Sequence, residues 1–344
     1  MNPILGTLAL APVNGGFRRE DSWIWCGSVV EGDDGLFHMF ASMWEKSVPF
    51  VPNWVTNSRV VRAVSATPEG PYTYREEILP PRGSQYWDGM VTHNPTIHRW
   101  RDRYLLFYTG TTYRAERPTA DVAVSEDLRI EARGNQRIGV AVASSPEGPW
   151  RRPDRPCLDV RPGQWDSFLV TNPAPCVLDS GEVLLLYKAT SGDHSPIRYG
   201  VAWANSPEGP YERRGADAPI TFQDPSLSYE DACIWKQDGR FYMIFNDLSG
   251  KLTGEDHAGA LAVSTNGVDW VLHESPKAYS RKVRWSDGRT TRQGSLERPQ
   301  LLFRHGRPTH LFAATADGPG GHRLATSTWN MVIPLEPPAP PEYA

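Results

Sequence analysis

The chain has 344 residues, with 36 Lys and Arg against 40 Asp and Glu and a net charge of −4. That balance argues against nucleic acid or an anionic membrane as the main partner. No run approaches the roughly 18 uninterrupted apolar residues that a membrane span requires.

From the N-terminus, residues 1–11 hold a short apolar run without a basic leader, and they read as a strand rather than as a cleaved signal. A unit then recurs five times: a polar pair, a short apolar strand, a turn and a second, aromatic-rich strand. The first copy is degenerate, Cys26-Gly27-Ser28-Val29-Val30 before Leu36-Phe37-His38-Met39-Phe40. His93-Asn94-Pro95 precedes Tyr104-Leu105-Leu106-Phe107-Tyr108, and Thr171-Asn172-Pro173 precedes Val183-Leu184-Leu185-Leu186-Tyr187. Glu230-Asp231-Ala232 and Glu297-Arg298-Pro299 open the last two. Three turns of the form Pro-Glu-Gly-Pro-aromatic, at Pro68, Pro146 and Pro207, each follow an alternating strand, and Asn266-Gly267 before Trp270 serves a fourth unit. The interval of 78 residues from the first turn to the second equals that from Asn94 to Asn172, so these units run in register.

All-β repeats that cannot bury their faces alone imply a propeller or a solenoid. Each unit has the length of a four-stranded blade. The expected fold is therefore one all-β domain over residues 1–344, a five-bladed β-propeller of four antiparallel strands per blade, closed at the N-terminal strand. Innermost strands of a propeller converge on one axis, so their polar pairs should meet in one pocket around Asn94, Asn172, Asp231 and Arg298, with Gly27 completing the ring. Long connections interrupt the pattern. Trp44–Asn57 and Ser275–Gly294 read as pocket walls, and Tyr113–Gln136 as a solvated excursion.

Three units carry an Asp before the inner strand: Asp21, Asp88 after Trp87, and Asp166 after Trp165. Aspartate is common in turns, where it bonds its own backbone, yet these positions would lie on the pocket rim. The polar pairs are a stronger signal because they differ from blade to blade, whereas a structural role would reuse one solution. Acidic groups from different blades facing one cavity suit glycoside hydrolysis, in which one carboxyl protonates the leaving oxygen and another activates water or attacks. Catalytic candidates are Glu297, Asp231, Glu230, Asp88 and His93. Candidate substrate contacts are Asp21, Asn94, Asp166, Asn172, Lys188, Arg298 and the aromatic faces of Trp87 and Trp25. Arg298 and Lys188 could instead neutralise the acids in a structural network.

With its Asn-Pro strand starts, its Pro-Glu-Gly-Pro blade ends and the acidic starts of its later blades, nearly the whole chain resembles the five-bladed propeller glycoside hydrolases grouped around families 43, 32, 62, 68 and 117. By that resemblance Asp231 corresponds to a modulating Asp and Glu297 to the acid. The first blade departs from it, with Cys26-Gly27-Ser28 where the family places a base Asp. The resemblance admits a central Ca²⁺, but no calcium-loop motif is present, and no cofactor is required. The expected partner is a small carbohydrate, cleaved from its non-reducing end. Two alternatives stand beside it. One is a phosphorylase of the mannoside type, with Arg298, Arg292, Lys188 and His93 around phosphate; the other is a non-catalytic sugar-binding propeller. The four cysteines, Cys26, Cys157, Cys176 and Cys233, lack metal-ligand spacing. Read as buried free thiols, they point to a cytoplasmic rather than a secreted protein.

Overall fold

The computed structural model describes residues 7–215, 219–222, 224, 227–318 and 320–336. Five antiparallel sheets form the blades of a β-propeller, and the strand next to the axis in each is Ser22–Glu31, Val91–Trp100, Leu169–Val177, Tyr229–Gln237 or Ser295–Arg304. Four of these sheets have four strands. Blade 2 has three, and isolated bridges from Ile138 to Leu158 and from Val142 to Arg151 hold its outer position. Thr7–Leu8 pairs with Thr328–Glu336, so the N-terminal strand closes the ring as the outer strand of blade 5. No helix among the described residues is long and apolar enough to cross a membrane.

The core lies between blades rather than within one. Val30, Phe40 and Val60 of blade 1 pack on Ile97, Tyr104 and Leu106 of blade 2. Leu105 and Phe107 on the other face of blade 2 meet Val170, Val183 and Leu185 of blade 3. Alternation along each strand makes both faces of a blade apolar in this way, and that is why the repeats read as near-continuous hydrophobic runs.

One irregularity recurs on every inner strand. Cys26, Asn94, Asn172, Asp231 and Arg298 all have positive φ, between 50° and 64°. The pairing register slips at the same place in each blade. A β-bulge of this kind re-aims a side chain, and here it sends five of them to the axis. Asn and Asp tolerate the left-handed region better than most residues, which accounts for the Asn-Pro signature. Cys26, not Gly27, therefore completes the ring. Gly27 packs so closely under Asn330 that an added Cβ would lie 2.1 Å from its Nδ2.

Candidate active site

The bulged residues form a chain of contacts around the axis. The Cys26 thiol donates to Asn94 Oδ1 at 2.8 Å, the Asn94 amide donates to Asn172, and the Asn172 amide donates to Asp231 Oδ1 at 2.7 Å. Arg298 Nη1 lies 3.7 Å from the same Asp231 oxygen. All three guanidinium nitrogens of Arg298 are buried without a hydrogen-bond partner. This ring does not suit a divalent cation, because it offers one carboxylate and already sets a guanidinium against it. A further cluster of candidate ligands among the described residues, Asp34, His38 and Glu147, is no better. There Arg62 Nη1 stands 2.9 Å from His38 Nδ1 and 3.0 Å from Glu147.

Above the ring opens a cavity of about 360 Å³. Trp25, His93, Asn94, Asn172, Lys188, Glu230, Asp231, Glu297 and Arg298 line it, so the structure brings together nine of the positions singled out in the sequence. Phe50, Val51, Pro52, Trp54 and Val55 from the first long connection form one wall. The connection at Ser275–Gly294 does not reach the cavity. Its hairpin Lys282–Arg284 and Thr290–Arg292 packs outside, with Trp285 bonded to Thr291 Oγ1 at 2.7 Å. Arg292 is likewise remote, engaged with Glu255 at 2.7 Å and Asp256 at 3.0 Å.

Four of the expected site residues lie outside the cavity. Asp88 is fully buried between Arg82 and Arg152, each at 2.7 Å, and accepts from Tyr108 Oη at 2.6 Å. Asp166 repeats the arrangement with Arg161, Arg213 and Tyr187. Trp87 stacks one face on Tyr108 and donates to the Pro153 carbonyl, and it does not line the cavity. Asp21 is a surface residue held by Arg19, whose bond to it lowers its pKa to about 2.

The sequence did not flag the remaining walls. Residues 113–136, read as a solvated excursion, contain a helix, Glu126–Gly134, capped by Ser125 Oγ. Its Arg129 and Arg133 line the cavity. A 3₁₀ turn, Gly321–Leu324, adds His322 and Arg323 from blade 5. His322 packs between Trp25 and Phe50, with ring centroids 5.6 and 5.1 Å away.

The three acids meet different surroundings. Burial works to raise Glu230, but the Lys188 ammonium at 2.5 Å holds it below the ordinary carboxylate range. Burial, then the neighbouring Glu230 charge, push Asp231 up to about 7. Glu297 Oε1 sits 3.8 Å from His322 Nδ1 and 3.9 Å from His257 Nδ1, ion-pair separations too long for direct hydrogen bonds. Burial acts to lower His322, but Glu297 and then Glu230 leave it raised on balance. His93 is different: burial, Arg298 and Lys188 depress it to about 3. Its ring bonds Ser58 Oγ at 2.7 Å, and these surroundings favour the neutral imidazole over an imidazolium donor.

Asp231 makes stability depend on pH. Between the ordinary carboxylate pKa and about 7, the folded chain keeps a proton that the unfolded chain has lost. The associated stability is full below the ordinary value and is lost as pH rises through about 7. Asp231→Asn is expected to flatten the fall in melting temperature between about pH 4 and pH 7, as measured by scanning calorimetry. A wild-type slope that survives the substitution would assign it to other groups.

No protein-family model matches the sequence, and no curated protein matches it. Solved structures do share its fold. Zg3597, a family 117 glycoside hydrolase of the marine bacterium Zobellia galactanivorans, superposes with a TM-score of 0.66 at 14% identity, over 97% of this chain and 92% of that one. A thermostable family-43 glycoside hydrolase gives 0.60 at 12%, over 95% and 92%. An α-L-arabinofuranosidase from Lactobacillus brevis gives 0.60 at 11%, over 94% and 92%. The chain thus has the five-bladed propeller fold of the family 43 and family 117 glycoside hydrolases along nearly its whole length.

Proposed function

We propose that the protein is a glycoside hydrolase that removes a terminal sugar from a small glycoside in the upper mouth of the propeller. The observation that carries this reading is the convergence of Glu230, Asp231 and Glu297, from two adjacent blades, on one cavity walled by Trp25, Phe50 and Trp54. Aromatic faces suit sugar rings, and carboxyls in unlike environments can divide acid and base work. In the proposed reaction Glu297 gives its proton to the glycosidic oxygen as the bond to the anomeric carbon breaks. Water adds to that carbon, and Glu230, held ionised by Lys188, takes the proton the water releases. Asp231 lies beneath them and responds to the charge on Glu230. The fold shared with an arabinofuranosidase and with families 43 and 117 supports the same reading. Walls contributed by a long connection and a 3₁₀ turn suit a chain end better than the middle of a polymer.

The test is a panel of nitrophenyl glycosides, furanosides included, assayed with and without inorganic phosphate. Phosphate-independent release of nitrophenol from at least one member is the expected result. Release that requires phosphate would replace hydrolysis with phosphorolysis, and sugar binding without release would leave a lectin-like protein.

A further inference from the structure

Three guanidiniums lining the cavity have donors that nothing in the protein uses. Arg298 has 1% of its side chain exposed, and none of its three nitrogens makes a hydrogen bond. Arg323 is exposed and makes no hydrogen bond or ion pair with any described residue. Arg133 spends only Nη1, on Asp193, which it shares with Arg129. None of the acids of the cavity hydrogen-bonds these guanidiniums. Glu230 is taken by Lys188, Glu297 faces two histidines, and Asp231 accepts from Asn172 while standing 3.7 Å from Arg298. Of the three only Arg298 is buried, and its nearest anion, Asp231 at 3.7 Å, is too far for a hydrogen bond, so its donors stay unmet. Guanidiniums pair best with planar or tetrahedral oxyanions.

We propose that the sugar this cavity accepts carries an anionic group, a carboxylate or a sulfate, and that Arg133, Arg298 and Arg323 receive it. The inference rests on the glycosidase reading of the same cavity and narrows its substrate to acidic glycosides. Free phosphate has the same oxyanion chemistry, and Arg298 stands beside Asp231 in either case, so the arms with and without phosphate separate the two sources. A substituent on the sugar can lie along the arginine-bearing walls, where Arg323 is exposed and Arg133 is about as open to solvent as Glu230.

The experiment measures binding and cleavage separately with the full chain. Isothermal titration is run with acidic oligosaccharide pools (oligogalacturonides, glucuronic-acid-capped oligosaccharides and sulfated galactan fragments) and with neutral arabino-, xylo- and galacto-oligosaccharides. Reducing-end release is followed on the same pools, with and without inorganic phosphate. At least one acidic pool should bind more tightly than every neutral pool. That binding should weaken about tenfold in Arg323→Gln and in Arg133→Gln, as expected for losing one charged hydrogen bond, and it should fall with added salt. Circular dichroism of the variants checks that they are folded. A neutral pool bound as tightly as any acidic one, binding to no acidic pool, or cleavage of a neutral pool only in the presence of phosphate would each overturn the inference. Phosphate-independent cleavage of neutral pools alone would leave the hydrolase reading standing while this one fails. Tight binding of an acidic pool without cleavage would do the reverse.

Discussion

Glu297→Gln is expected to lower turnover on glycosides with poor leaving groups by about 10² or more, and less on activated aryl glycosides. Glutamine preserves the shape and an accepting oxygen but cannot supply a proton. An aryloxide leaves without much help, so the gap between the two substrate types measures the proton transfer itself. A second readout separates chemistry from structure. Glu297 is the first group that raises His322 against the effect of burial, so the variant should lower the His322 pKa, as followed by NMR of the ring protons. If that shift appears, the fold is intact and turnover on poor leaving groups is unchanged, Glu297 is only a counter-ion. The donor must then be sought at Asp231, whose carboxyl keeps its proton up to about 7. His93, the alternative suggested by sequence, lines the same cavity but is disfavoured as a donor, because burial, Arg298 and Lys188 hold it well below the ordinary imidazole range.

The propeller was readable because each blade repeats both its inner strand and its closing turn. The polar pairs were readable for a physical reason: one residue of each must adopt a left-handed conformation, so Asn, Asp and two less tolerant residues interrupt apolar strands there. The helix Glu126–Gly134 was missed because it buries only Ala132, and its charged residues look like a solvated segment until Arg129 and Arg133 are placed against the cavity. His322 was missed because it stands in a glycine-rich turn with no spacing that ties it to Glu297, a contact made only by folding. Asp88 and Asp166 misled for the opposite reason. Their recurrence looked like a rim feature, but the sequence also holds the partners of a repeated structural device. Arg152 follows the turn glycine Gly148 by the same interval as Arg213 follows Gly209, and Tyr108 and Tyr187 occupy matching places in the second strands. A carboxylate, a tyrosine and an arginine that recur together in two blades mark a buried ion cluster.

That cluster sets the second large effect. Asp88→Asn is expected to destabilise the protein by about 3 kcal/mol and to leave turnover per folded molecule within about twofold. The carboxylate has no exposed surface, and its two arginines show only 18% and 10% of their side chains. An amide in its place turns a donor toward one guanidinium and removes the charge that both require. Breaking a buried pair by removing one partner typically costs 3–5 kcal/mol. The lower end applies because Arg82 also bonds the Pro153 carbonyl and Arg152 the Pro80 carbonyl. In a chain of this length the change should appear as a fall of several degrees in melting temperature. Asp166→Asn should behave alike, since Arg161, Arg213 and Tyr187 surround it in the same manner. If instead turnover vanished while the melting temperature held, Asp88 would act in the chemistry, which its place between Arg82, Arg152 and Tyr108 and away from the cavity gives no route to do.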